Sequence, residues 1–343
     1  MEQLFKVPIR NIFCMLSYVS EYYELVDQLS TVDEELITYD FLAKRFLAET
    51  KQLLNRDLLK GYITHTEETS FISGKIMINQ SIPFIAQHRP VLVCEKDHYS
   101  ADILFNQIIS TTLINLYKNN LVEEQTRKQC FMLWEEMPQV NQIVLTREMF
   151  SRIRFSRHNR QYKTIIHIAR LLHEVQLLSH KKGEWSLFTV ELSESEMNSL
   201  FEKFLLYFYQ REQPYYRAGS RQMTWNLKGN QSLLPSMQTD ITLVHRWENK
   251  RIVIDAKFHK NTFQQNFGKN SFKSENLYQI FTYLMHQPKE VDVRGVLIYP
   301  SNDNKELTEH YEWDDRMKIE IYQVNLNNSW YAIKNRLLSV IGE

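Results

Sequence analysis

The chain has 343 residues, 43% of them apolar and 24% charged, with 41 basic side chains against 41 acidic ones. This is globular rather than disordered composition, the length exceeds one comfortable core, and a formal charge of zero leaves any nucleic-acid surface to local clustering. Only 8 glycines occur, and no GxxxxGK[ST] or GxGxxG is among them, which excludes nucleotide binding through those loops.

Cys14, Cys94 and Cys130 are widely spaced and odd in number, which points to a reducing compartment and away from a disulfide framework or a CxxC metal site. The opening MEQLFKVPIRNIF lacks a signal-peptide run, and no segment approaches the ~18 consecutive apolar residues of a membrane span. A soluble cytoplasmic protein with no membrane partner is expected.

Residues 11–29 carry apolar side chains at helical spacing behind Asn11, a capping residue, and a second helix is expected over 34–59. The stretch 61–85 alternates apolar and polar residues around a Ser-Gly turn and reads as short strands. Helical periodicity returns over 101–118 and 162–179. The polar, basic run SHKKGEW (179–185) is the best boundary, dividing the chain into 1–185 and 186–343.

Beyond it, WSLFTVEL is extended, and Ser193 with Glu196 forms a capping-box start to a long helix. A strand region over 215–227, a hairpin over 238–258, a helix from Ser274, a buried strand over 293–300, a strand at KIEIYQVNL and a terminal helix complete the order. The expected fold class is α+β, a mixed α/β core behind a helical N-terminal domain with a β-rich segment at about 61–94.

The hairpin carries the chemistry. In IVIDAKF, alternation puts Asp255 and Lys257 on one side and Ala256 on the other, while a turn around 247–250 brings Asp240 near Asp255. Metal-assisted phosphodiester hydrolysis needs converging acidic oxygens and a cation or base near the attacking water. Asp240, Asp255 and the Ala256 carbonyl are candidate Mg²⁺ ligands, with Mn²⁺ as a substitute, and Lys257 is the candidate for orienting water or balancing phosphate charge. A bare acid-x-Lys triplet is weak, since Glu49–Lys51, Glu248–Lys250 and Asp303–Lys305 also match, and alone it reads as a surface ion pair at a frayed strand end. Only Asp255–Lys257 follows an apolar strand with an Asp on the strand before. On the following helix, Gln279 and Tyr283 are four apart and share a face.

This Asp…Asp-x-Lys hairpin followed by a Gln-x-x-x-Tyr helix resembles the PD-(D/E)xK nuclease superfamily. More narrowly, VPIRNIFCMLSY, ISGKI, NRQYK, LLPSMQTDIT, IVIDAKFHK and SENLYQIFTYL, spread over nearly the whole chain, resemble the McrC family of nuclease subunits from McrBC modified-cytosine-dependent restriction systems. The resemblance implies a restriction-endonuclease-like C-terminal domain, with Asp240, Asp255 and Lys257 catalytic and Gln279 supporting. Pro235 is not adjacent to Asp240 and the second acid is Asp rather than Glu, both compatible with the McrC pattern; Glu202 stands where some superfamily members place another acid. It further implies a hexameric McrB-like AAA+ partner that binds and hydrolyses GTP, stimulated by this chain, and double-stranded DNA with modified cytosine as substrate.

TREMFSRIRFSRHNRQYKT gathers Arg147, Arg152, Arg154, Arg157, Arg160 and Lys163 against the single acid Glu148, a local positive field suited to phosphate or to an acidic partner, or simply a solvated face. Phe155 and Tyr162 either meet sugars or anchor that loop. Within the family an N-terminal region enters the partner ring, and 61–94, with Lys75 and Arg89, is the candidate segment. A catalytically silent plug for the ring and a stand-alone repair nuclease are the alternatives.

Overall fold

The computed structural model describes residues 5–29, 32–33, 36–179, 189–192, 194–225, 227–230, 232–257, 263–266, 269–301 and 306–342. The chain divides into two compact units, Met1–Thr38 with Val175–Glu343, and Tyr39–Glu174. A single cut at 185 is therefore not where packing divides the chain, and most of the run that suggested it lies outside the described residues.

The first unit begins with β1 (Phe5–Pro8), α1 (Ile9–Val19) and α2 (Tyr23–Leu29). The single helix expected over 11–29 is broken by a turn at Ser20–Glu21, where Glu21 takes a φ of 55°. Asn11 lies inside α1 instead of capping it, fully buried, and its amide donates to the carbonyls of Leu326 and Asn328 at 2.7 and 3.0 Å. Nearly every residue from Ile9 to Tyr18 is buried, the pattern of a helix enclosed on all sides.

The second unit runs through α3 (Tyr39–Leu54), β2 (Gly61–Thr69), β3 (Lys75–Ile76), α4 (Ile78–Ala86), β4 (Leu92–Ser100), α5 (Leu104–Lys118), α6 (Glu124–Glu135) and α7 (Arg147–Arg152). Helix α8 (Lys163–Ser179) starts in this unit and ends in the other. Strands β2 and β3 both pair antiparallel with β4. The segment read as all strand thus contains a helix, because isoleucines at 78, 82 and 85 suit either period. Ser81 fixes α4 to the sheet, since its hydroxyl donates to the Met77 carbonyl at 3.0 Å and accepts from the Val93 amide at 2.9 Å. Helix α6, with its polar sequence, gave no expectation of a helix.

The remainder of the first unit is β5 (Thr189–Leu192), α9 (Glu194–Glu212), β6 (Tyr216–Met223), β7 (Met237–His245), β8 (Lys250–Ala256), β9 (Phe263–Asn266), β10 (Lys269–Phe272), α10 (Ser274–Met285), β11 (Asp292–Ser301), β12 (Thr308–Glu312), β13 (Met317–Asn325) and α11 (Trp330–Ile341). Ser193, the expected cap of α9, lies outside the described residues. The central six-stranded sheet has the order β12-β13-β11-β8-β7-β6. Strands β6, β7 and β8 form an antiparallel meander, whereas β11 is parallel to both β8 and β13. The β8–α10–β11 crossover packs α10 on the sheet, where Ile280, Tyr283 and Leu284 meet Val253, Val293, Leu297 and Tyr299. A Cβ on Gly295 would come within 2.9 Å of both Ile280 and Leu284, so glycine permits this close approach.

The N-terminal segment belongs structurally to this sheet unit. β1 pairs antiparallel with β5, and Tyr18 of α1 packs against Phe204, Phe208 and Trp330 while its hydroxyl donates to Glu212 at 2.7 Å. Burying each such side chain contributes about 1.5–3 kcal/mol, and a fragment that lacks α1 exposes the α9 aromatic row. A fragment of residues 186–343 is expected to be aggregation-prone or molten, while residues 39–174 alone should unfold cooperatively. Near-UV circular dichroism and amide dispersion of the two fragments check this; a natively dispersed 186–343 fragment would contradict it.

Candidate active site

The apolar core of β8, Ile252 to Ile254, drives that strand through the middle of the sheet and delivers Asp255 to its end with no solvent exposure. Lys257 lies 3.1 Å from Asp255 through Nζ and Oδ2. The Ala256 amide donates to Asp240 Oδ2 at 3.1 Å, and the Lys257 amide donates to the Ile298 carbonyl at 3.0 Å. The two acids and the lysine expected from the sequence therefore meet at one sheet end.

Asp240 reaches this point by a local irregularity. Gly219 pairs with Thr242 but Arg221 with Thr239, so Asp240 and Ile241 together face the single residue Ser220. Such a bulge turns a side chain out of the regular alternation. It is pinned by a 2.8 Å hydrogen bond between the hydroxyls of Thr239 and Thr242, and by the Arg221 amide donating to Thr239 at 3.2 Å. Nothing in the sequence marks it, and Thr239 and Thr242 are supporting residues that pattern reasoning misses.

Burial pushes both carboxyls above the usual Asp range; the neighbouring Asp240 charge raises Asp255 further, and Lys257 offsets part of the effect on each. Burial alone would lower the Lys257 ammonium, but Asp255 and Asp240 outweigh it and raise it. Burial also raises Glu202 on α9, with Asp240 adding to the effect and Lys257 opposing it, so Glu202 is within electrostatic reach of the pair. On α10 the Gln279 amide donates to the Tyr283 hydroxyl at 2.7 Å, which donates to the Gln238 carbonyl at 2.8 Å. Gln279 thus braces the β7 backbone through Tyr283, two residues before Asp240. Asn276, one turn earlier, donates to the Tyr299 hydroxyl at 3.0 Å.

The donor chemistry suits a hard divalent cation. Asp255 Oδ1 accepts no hydrogen bond despite complete burial, Oδ2 is met by the Lys257 ammonium at 3.1 Å but without good hydrogen-bond geometry, and Asp240 lies within electrostatic reach. Oxygens left this way gain most from a cation that replaces the lost hydration. Asp240 and Asp255 could hold such an ion, with the Ala256 carbonyl as a further oxygen. Among the described residues no group of three or more His, Cys, Asp or Glu forms a ready-made metal cluster.

The other acid-x-Lys triplets separate cleanly. Glu49 and Lys51 lie within α3, and Glu248 and Lys250 pair with each other at 2.6 Å in an exposed turn. Asp303 and Lys305 lie outside the described residues. The basic stretch belongs to the second unit, where Arg152, Arg154, Arg157 and Arg160 are exposed and Lys163 is half-buried. Arg147 is committed to Glu174 at 2.7 Å. Tyr162 is an anchor: buried, it donates to Asn106 at 2.8 Å and accepts from the Leu59 amide at 2.9 Å. Phe155 is half-exposed and leans on Phe105 and His167.

Residues 7–300 match the family described as McrBC 5-methylcytosine restriction system component. The chain belongs to that family. A curated McrBC relative, the type IV methyl-directed restriction enzyme EcoKMcrBC of Escherichia coli strain K12, is 29% identical over 345 residues, covering 98% of each chain. The fold is also similar to a chain in a half-complex from a tetradecameric assembly of Thermococcus gammatolerans McrB AAA+ hexamers with bound McrC. That match has a TM-score of 0.52 at 17% identity, over 96% of this chain and 78% of the other. A cryo-EM structure of the Thermococcus gammatolerans McrBC complex matches 61% of this chain at 19% identity with a TM-score of 0.35, too low to add to the comparison.

The unbalanced charges make opposite stability predictions for two isosteric changes. Asp255→Asn removes one of two crowded carboxylates and leaves Asp240 within electrostatic reach of Lys257, so it should raise stability by about 1–2 kcal/mol in chelator-treated protein. Lys257→Met leaves both carboxylates uncompensated and should cost about 3–5 kcal/mol. Denaturant unfolding in the presence of EDTA measures both; the same sign for the two would contradict this charge reading.

Proposed function

We propose that this McrBC-family chain is the nuclease subunit of a modification-dependent restriction complex, cleaving DNA phosphodiester bonds with Mg²⁺ or Mn²⁺ when docked on a GTP-hydrolysing AAA+ ring. The observation that carries the reading is the Asp240–Asp255–Lys257 set, with a fully buried Asp255 carboxylate whose Oδ1 lacks a hydrogen-bond donor and whose Oδ2 faces the Lys257 ammonium at 3.1 Å. When bound, the divalent ion supplies positive charge that polarises the scissile phosphate. Asp240 and Asp255 hold it, the Ala256 carbonyl adds an oxygen, and Glu202 stands within reach as a further acid. Lys257 faces the same point, where its ammonium orients the attacking water or balances charge on the phosphate. Gln279 keeps β7 in place through Tyr283. The catalytically silent alternative leaves a fully buried acid, a partly buried acid and a lysine gathered at one sheet end without a purpose.

Replacing Asp240, Asp255 or Lys257 with Ala should reduce cleavage of methylated DNA at least about 10³-fold, as expected when charge stabilisation at the reacting phosphate is removed, while the partner's GTP turnover stays stimulated. Glu248→Ala should leave cleavage unchanged. Normal cutting by Asp255→Ala in the presence of the ring would refute the site.

The relatives named as McrBC assemblies support an AAA+ partner for this chain, and the second unit offers the surface for it. In α4, Ile78, Ile82 and Ile85 are exposed on one helical face, and Phe71 and Ile72 are exposed in the β2–β3 connection. Exposed large apolar side chains gathered on one helical face in this way suit an interaction site. Ile82→Ser with Ile85→Ser should weaken stimulation of the partner's GTPase about tenfold or more, as loss of interface anchors does, without altering the fold. Reversal of Arg154 and Arg157 to Glu separates the uses of the basic loop. A reduced salt slope of DNA binding assigns it to phosphates, lost ring affinity assigns it to docking, and no change in either assay leaves a solvated face.

A further inference from the structure

Two polar groups at the floor of the site are mismatched in a complementary way. The Tyr299 hydroxyl accepts from the Asn276 amide at 3.0 Å, and no acceptor for its own hydrogen is recorded among the described residues. Tyr299 is fully buried and Asn276 nearly so, so neither turns to bulk water. Asp255, also fully buried, has Oδ1 without a hydrogen-bond donor, while Oδ2 lies 3.1 Å from the Lys257 ammonium. Leu297 pairs with Asp255 and Ile298 with Ala256, so alternation puts Tyr299 of β11 on the same sheet face as Asp255 and Lys257. The proximity has an electrostatic trace: burial pushes the Tyr299 hydroxyl up, Asn276 lowers it, and the Asp255 charge raises it again.

We infer that Asn276 and Tyr299 form a positioning pair for Asp255, in which the Asn276 amide fixes the rotation of the Tyr299 hydroxyl so that its hydrogen is presented to the Asp255 carboxylate. This inference rests on the proposed metal-dependent reading of the site and assigns to it two residues that touch neither the metal nor the phosphate. The physical role is to hold one carboxylate orientation against the repulsion from Asp240. Asn suits the task because its amide donates; a hydroxyl that received no such bond would rotate freely. Partners of this kind around ligating carboxylates typically contribute about 10–100-fold to metal affinity.

The experiment is a Mn²⁺ titration of the full-length chain alone, followed by electron paramagnetic resonance, with thermal unfolding of each variant in EDTA. Tyr299→Phe should weaken Mn²⁺ binding about 10–100-fold. Asn276→Leu, which keeps the hydroxyl but frees its rotation, should fall between wild type and Tyr299→Phe, and this ordering should not follow the unfolding temperatures. If Tyr299→Phe fails to fold, weakened binding by a folded Asn276→Leu supports the pair, and undiminished binding overturns it. Tight Mn²⁺ binding that is lost in Asp255→Asn but intact in Tyr299→Phe and Asn276→Leu would overturn the positioning role alone. Equal Mn²⁺ binding by wild type and Asp255→Asn would overturn the metal-site reading, and this inference with it.

Discussion

An ammonium placed against two carboxylates at the end of an apolar strand is the interaction around which the sheet unit is arranged. Lys257 meets Asp255 at 3.1 Å in a setting where neither has free access to water. One ammonium faces two carboxyls, and burial pushes both above the usual Asp range, with the nearby Asp240 charge raising Asp255 further. The surrounding structure tolerates this because β8 is fixed on both sides by neighbouring strands, α10 is pressed close across Gly295, and the Asp240 carboxylate is anchored by a backbone amide. The rigid sheet end bears an electrostatic strain that a loop would relax by moving. Such crowding of buried charge costs stability when no further cation compensates it.

The features around the charges serve the same constraint from different elements. The bulge beside Asp240 turns its side chain, the Thr239–Thr242 bond fixes that turn, and the Gln279–Tyr283 chain ties the neighbouring backbone to α10. Helix α1 contributes at greater distance by completing the core on α9, the helix that carries Glu202. The proposed chemistry rests on three side chains, while their geometry depends on residues from several elements.

Much of the sheet unit was legible in the sequence because its signals were local. The hairpin, the strand at 292–301, the helix from Ser274 and the last helix all follow from apolar runs and periodicity, and the charge at the end of an otherwise apolar strand singled out Asp255 and Lys257. What escaped was non-local. The bulge depends on the register between two strands, which no single strand records. Asn11 looks like a cap, yet its partners are more than 300 residues away in the 326–328 turn. The polar run near 180 suggests a linker, but composition says nothing about which core the residues before it join. Residues 61–85 read as strand because apolar and polar residues alternate around a Ser-Gly turn, whereas Ile78, Ile82 and Ile85 form the exposed face of a helix.

The insertion of residues 39–174 between α1 and the rest of its unit has a consequence for synthesis. Helix α1 leaves the ribosome ahead of the inserted unit, and its packing partner α9 follows only after that whole unit has been made. At translation speeds of about 5–20 residues per second, that is a wait of several seconds at the least with a helix whose every face is destined for burial. The inserted unit can meanwhile complete its own core, so nascent chains should pass through a stage in which the later unit is folded and the earliest residues are still sticky. Chaperone capture would accordingly concentrate on the α1 segment, and slower codons just before α9 would prolong the exposure.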